Sequence, residues 1–535
     1  MADTKKGFDI LDMNNYRVEK LPQKQKTGFE KYMAIAGGPL AIVAFILIYF
    51  FADISFLNNI SPELLGKTAL KRFNELGSAG FSRINYAMLA IFAASIVLWI
   101  TEAIPNYLTS LMLIVAMVLT GITSEIDAYH QLGHPVMWLN ILSFVLASML
   151  VKTQAAKRFA LWFIVRFGKN ASWIFFSFMI INIVLSAFIS ATTAKAAILL
   201  PIFMVVAAVY GASGGDNRNN FGRNLVLQNL FQINVSAGGF LTGSGANLLA
   251  GSLIAGALGG QAFSYQKWLF AAFPLAVILL LIGWIVSVKF IFPMKEKERL
   301  PQIEGGMERL KEELHKLGPI TFQEVKAILI FVAVLALWAT DTVHGISQTA
   351  VAFLGAVIAL TPKFGVVKWN DVDIPWHLLM FSAGAYTLGA GLDSTDLAML
   401  SVNYIYDGLG FSSNTPFWVF YLFLTGCMLF SALIFQSKTM RALIFIPIAI
   451  GTAQKFGYPM LSLTLPVALL IEHVYALPFN SKPAALLYVT DQYSWSDTAK
   501  YGITMLFISW IVIIIWGETW LRLLNYTPNG VFGLF

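Results

Sequence analysis

Long apolar runs dominate this chain and restrict its fold more than any other feature. Crossing a bilayer as a helix takes roughly 17–25 mostly apolar residues. Full-length candidates begin near Met33, Asn85, Tyr107, Val136, Phe221, Lys267, Phe322, Ser347, Pro375, Met460 and Gly502. Only 12% of the 535 residues are charged, against about a quarter in a soluble chain. The expected class is therefore an all-α polytopic membrane protein. The short alternating segments of a porin-like barrel are absent from the sequence. Its one cysteine, Cys427, excludes a disulfide framework or a cysteine zinc site, and the six histidines show no metal spacing. No nucleotide loop, nucleophile elbow or zincin motif occurs, so an enzyme is not expected. The net charge of +7 is read as a matter of membrane topology, with no nucleic acid expected as a partner. The polar start, 1–31, does not resemble a cleavable signal and reads as a cytosolic tail.

Two stretches, 171–210 and 414–453, are apolar but carry a polar kink in the middle. The placement of basic residues says how to read them. The tail up to Tyr32 has seven Lys/Arg, 152–170 has five with no acid, and 292–321 has six. The stretches 124–135, 341–346 and 397–413 have none. If both kinked stretches are re-entrant hairpins, the basic stretches all fall on the cytosolic side. Eleven spans plus two hairpins result, in a plasma (inner) membrane, with 523–535 as an extracellular tail. The loop within 52–84, with four basic residues, dissents. The segment 153–168 is basic and amphipathic and reads as an interfacial helix.

Inside those hairpins the chain repeats itself. "ATTAKAAILLPI" (191–202) aligns with "SKTMRALIFIPI" (437–448) at five of twelve positions, superposing Thr193 on Thr439, Lys195 on Arg441 and Pro201 on Pro447. A second match follows, "GSGANLL" (243–249) with "NSKPAAL" (480–486), pairing Ser244 with Ser481. The expected organisation is a first helix and loop over 32–84, one repeat over 85–291, a cytosolic linker over 292–321 and a second repeat over 322–522. Each repeat holds a hairpin and then a broken helix, 221–256 and 460–490, and the two are inverted in the membrane. Interrupted helices at matching places in inverted halves mark a binding site near the midplane.

Such breaks leave backbone N–H groups facing a cavity, and helix N-termini favour carboxylates. The hydroxyls of Thr193, Ser244, Ser437, Thr439 and Ser481 add neutral donors. Two facing half-sites suit a ligand with a carboxylate at each end. Lys195, Lys438, Arg441 and Lys482 put four cations near the tips, each costly at membrane depth unless paired or hydrated. Few acids are near enough to pair them, so part of this charge is expected to await an anion. Glu472 and His473 are the candidate proton site. A snorkelling or helix-capping role is the ordinary alternative for any one of these cations; the agreement of Lys195 with Arg441 across the repeat argues against it.

Several segments resemble the divalent anion:sodium symporter family. "TEAIPNYLTSLMLIVAMVLTGI" (101–122), "AKRFAL" (156–161) and "IPWHLLMFSAGAYTLGAGL" (374–392) are similar to family segments, and the two hairpin motifs occupy the places of its Ser-Asn-Thr signatures. The resemblance implies a homodimeric elevator carrier of di- or tricarboxylates within the lipid bilayer. It places Thr192, Thr193, Lys438 and Thr439 at substrate-contact positions, and Gly243, Ser244, Asn247, Asn480 and Ser481 at the broken-helix tips. The departures are specific. The signatures read Ala191-Thr192-Thr193 and Ser437-Lys438-Thr439, and the second tip reads Ser481-Lys482-Pro483-Ala484. The expectation is an antiporter in which Lys195 and Arg441 stand in for sodium, with no cofactor. The alternative is a sodium- or proton-coupled symporter.

Overall fold

The computed structural model describes residues 11–17, 28–212, 214–215, 218–259, 263–303, 305–412, 414–435, 437–478 and 480–534. Residues 1–10 and 18–27 of the expected cytosolic tail, and residue 535 of the expected extracellular one, lie outside them. Every regular element among the described residues is helical. The chain is an all-α bundle with eight helices long and apolar enough to cross a bilayer among those residues.

The spans inferred from hydropathy differ in length from the helices formed. The helix near Tyr107 is Asn106–Leu119, fourteen residues between Pro105 and Thr120, or about 21 Å. The helix near Met460 ends at Leu469 after ten residues. By contrast, the helix containing Asn85 starts at Lys67 and runs to Thr101, kinked at Gly77, whose φ is 71°. Its first turns are polar and exposed, so hydropathy alone places the start too late.

Polar caps set many of the boundaries. Asn170 accepts from the Trp173 N–H, Asn219 from Gly222 and Ser264 from Lys267. Thr321 with Glu324, and Ser494 with Asp497, form reciprocal capping boxes at the starts of Phe322–Ala339 and Trp495–Glu518.

The elements recur in the same order in the two halves. Helix Pro135–Lys152 is followed, after left-handed Gln154, by the short helix Ala155–Phe167. Helix Trp376–Thr395 is followed, after left-handed Asp396, by Leu397–Gly408. Each short helix leads into a helical hairpin: Ala171–Phe188 with Thr192–Val209, and Phe417–Phe430 with Lys438–Lys455. A helix in two pieces then follows, Asn220–Gly238 with Gly245–Ala257, and Met460–Leu469 with Lys482–Tyr488.

Packing is reciprocal as well. Helix 376–395 lies on 106–119 of the other half, and 348–360 lies on 135–152. The first crossing is close: a Cβ on Gly384 would stand 2.3 Å from the Ser110 Cβ, so only glycine allows it. The linker is not a plain connection. It contains helix Gly306–Lys316, which packs on 155–167 and 192–209. Arg158 of the short helix ties this region together, pairing with Glu324 at 2.6 Å and donating to the carbonyls of Leu317 and Gly318.

Candidate functional site

The two hairpins and the two broken helices enclose a buried polar centre. In the first half the hairpin turns at 189–191, and the helix starting at Thr192 has no side-chain cap. The first broken helix stops at Gly238 and restarts at Gly245 under a cap from Ser244, whose Oγ accepts the Asn247 N–H at 3.2 Å. Asn247 holds this break together, its Nδ2 donating to the carbonyls of Ala237 and Phe240 at 3.0 Å each. A Cβ on Gly243 would meet the Ala237 oxygen at 2.2 Å, so no side chain fits there. In the second half, Ser437 caps helix 438–455 and Ser481 caps 482–488. Ser481 also donates to Val474, and Asn480 donates to the Ala432 carbonyl.

Lys195 and Arg441 are both fully buried. Lys195 Nζ donates to Ser186 Oγ at 2.6 Å and to the Ile233 carbonyl at 3.2 Å. Arg441 Nε donates to Ser431 Oγ at 2.9 Å and Nη1 to the Ile471 carbonyl at 3.0 Å, while Nη2 reaches Met428 and Leu470 carbonyls. The two environments share one plan. Each cation meets a serine at the end of the hairpin's first helix, together with carbonyls from the first piece of the broken helix or just beyond it. The carbonyls around Arg441 lie at or just beyond helix C-termini, where they carry partial negative charge, whereas Ile233 lies within its helix. Neither cation meets a carboxylate among the described residues; both sit in cages of neutral oxygen.

The halves interlock. Helix 245–257 packs on 438–455, and 482–488 packs on 192–209. Glu472, in the second break, joins them. Its Oε1 accepts from Ser244 Oγ at 2.5 Å and its Oε2 from Lys438 Nζ at 2.5 Å. Lys438 also reaches Thr192 Oγ1 at 3.4 Å. Thr192, Ser244, Lys438 and Glu472 therefore form one cluster, although 246 residues separate Thr192 from Lys438. The hydroxyls of Thr193 and Thr439 are half-buried and make no hydrogen bond among the described residues.

Two candidates stand apart from this cluster. Lys482 is exposed, and its charge interacts with Glu102. His473 is buried with both ring nitrogens unpartnered among the described residues, and it does not bond to its neighbour Glu472. No group of three His, Cys, Asp or Glu able to hold a metal occurs among the described residues.

The sequence reading passed over the partners of Lys195. Ser186 bonds Ser236 at 2.6 Å, and Asn182 donates to Asn229 and Gln232. Gln232 and Ser236 belong to a buried polar stripe with Asn224 and Gln228, spaced four residues apart along one helix face. That spacing is legible in "NLVLQNLFQINVS" (224–236).

A bundle of apolar helices around a centre built from hairpins and interrupted helices defines a multi-pass membrane transporter. The chain belongs to the family described as "Sodium:sulfate symporter transmembrane region", which matches residues 77–527, and so to the divalent anion:sodium symporters. It is similar to the sodium-dependent dicarboxylate transporter SdcS of Staphylococcus saprophyticus, 25% identical over 461 residues, covering 81% of this chain and 87% of that one. It is also 25% identical to sodium-dependent high-affinity dicarboxylate transporter 3 of Caenorhabditis elegans, covering 76% of this chain and 78% of the relative. A third relative is dicarboxylate transporter 1, chloroplastic, of Spinacia oleracea, 28% identical with 64% of this chain and 60% of that one covered.

Proposed function

We propose that this protein exchanges dicarboxylates across the membrane without sodium, Lys195 and Arg441 serving as permanent replacements for the coupling cation. One observation carries the reading: both buried cations are held by serine hydroxyls and backbone carbonyls. Neutral oxygens of this kind are the donors that replace the hydration shell of an alkali ion in channels and carriers. The names of the relatives supply the substrate class, dicarboxylates; succinate, malate, fumarate and 2-oxoglutarate are the members of that class to test first.

The mechanism follows from what a covalent cation cannot do. Sodium can dissociate after delivering substrate, letting an empty carrier reset. Lys195 and Arg441 cannot leave, and an uncompensated charge at membrane depth costs about 3 kcal/mol or more. A bound dianion cancels two positive charges, so the loaded carrier crosses more easily than the empty one. This is differential stabilisation of the crossing state by ligand. Free hydroxyls on Thr193 and Thr439 and the uncapped N-terminus at Thr192 are the groups placed to meet substrate carboxylates.

In this reading the hairpins and broken helices move as an elevator against the remaining helices of a homodimer. The reciprocal packing of 106–119 with 376–395 and of 135–152 with 348–360 supports an inverted two-fold arrangement. In the same reading the N-terminus is cytosolic and the C-terminus lies outside a plasma membrane; the placement of the basic stretches supports that orientation. Two relatives carry "sodium-dependent" in their names, which favours symport as the rival.

Proteoliposomes decide between them. Radiolabelled succinate uptake should require internal dicarboxylate and be unaffected when potassium replaces sodium. Uptake that needs sodium but no internal substrate contradicts exchange.

A further inference from the structure

The anion that leaves charge balanced depends on every fixed charge in the centre, not only on Lys195 and Arg441. Lys438 is a third cation there, with 12% of its side chain exposed, and it is paired with Glu472 at 2.5 Å. Glu472 is 1% exposed and its second oxygen is taken by Ser244. Lys482 makes no bond to this cluster and its charge is offset by Glu102, so it does not enter the count. Three positive charges against one negative leave two. We infer that Glu472 is a built-in counter-ion that sets the valence of the carried anion, holding the site to dianions. The inference rests on the reading of the hairpin tips as the carboxylate site.

Glu472 has two features suited to this role. It touches groups from both halves, Ser244 at the first break and Lys438 at the second hairpin, so its charge sits between the two half-sites. It also occupies donors that a third substrate carboxylate would need. With the pair intact, a trianion would bring one uncancelled negative charge and find Lys438 and Ser244 already engaged. Charge selectivity of this kind works by disfavouring the wrong ligand rather than by improving the right one. Without the carboxylate, three cations remain and a trianion becomes the balanced cargo.

A same-size variant tests this. Glu472→Gln keeps the side-chain volume and a hydrogen bond to Ser244 while removing the charge. Succinate and tricarballylate are compared as internal and external substrates at pH 8, where both are fully ionised. Wild type should prefer succinate. Glu472→Gln should shift the ratio of the two exchange rates at least tenfold toward tricarballylate, and Glu472→Asp should not. The double variant Glu472→Gln/Lys438→Met has two net charges again and should return the preference to succinate. A purely structural ion pair predicts loss of both activities with their ratio unchanged, and that result overturns the inference. If Glu472→Gln does not exchange at all, equilibrium binding of the two labelled acids to purified protein gives the same ratio, and an unshifted ratio again overturns it. Sodium-driven uptake by wild type would defeat the exchange reading while leaving the ratio test intact.

Discussion

The two halves of the centre hold their buried cations on the same plan but with different chemistry. Lys195 has two acceptors and lies against a helix rich in buried amides, beside a break of six residues, 239–244. Arg441 reaches four acceptors and lies beside a break of twelve residues, 470–481. A guanidinium offers five donors in a rigid plane and stays charged at any physiological pH, whereas an ammonium is a compact point charge. The longer break presents the carbonyls of Leu470 and Ile471, and the fork collects both together with Met428 from the end of the hairpin's first helix. The second half is therefore organised by its cation, while the first half accommodates one.

The comparison makes Arg441→Lys far from conservative. A lysine reaches fewer of those oxygens. Met428 and Leu470 keep bonds from Ser431 Oγ and the His473 N–H, but the Ile471 carbonyl loses its donor, at about 1–3 kcal/mol. Exchange should fall by roughly tenfold or more, with a stability loss of about 2–4 kcal/mol, read from transport rates and thermal unfolding in detergent. If Arg441→Lys exchanges at the wild-type rate, the fork is not organising the break. A smaller effect sharpens the contrast. Ser186→Ala removes one of two bonds to Lys195, and Ser431→Ala one of four to Arg441. Hydrogen bonds to charged groups contribute about 1.5–3 kcal/mol, so Ser186→Ala should destabilise by about 3 kcal/mol and Ser431→Ala by about 1.5. Equal losses would show that the two cages share load alike.

How much of this is legible in the sequence varies by residue. The apolar runs show the membrane class, and the matched prolines Pro201 and Pro447 point to both hairpin helices. Thr193, Lys195, Thr439 and Arg441 are singled out by the repeat because side-chain identity or charge carries that signal, and Thr192 and Lys438 by their places in the family signatures. The oxygens around the cations are not, since the carbonyls of Ile233, Leu470 and Ile471 look like any others in a sequence. Glu472 stands out as a buried acid, but its bond to Ser244 spans 228 residues, and spacing cannot show it. Helix 397–408 escapes notice because it lacks the basic residues that mark 155–167. Lys482 illustrates the opposite error: a cation next to a helix break that stays out of the cluster and interacts with Glu102 instead.

The central claim is that fixed positive charge stops the empty carrier from crossing. Its most direct test is net succinate uptake into liposomes free of internal dicarboxylate, with the membrane potential clamped, for wild type and Lys195→Met. The account predicts that wild type shows less than about a hundredth of its exchange rate, a gap of roughly 2.7 kcal/mol, and that Lys195→Met gains net uptake relative to its own exchange. Net uptake by wild type at its exchange rate, or a Lys195→Met protein that still exchanges but gains none, would contradict it.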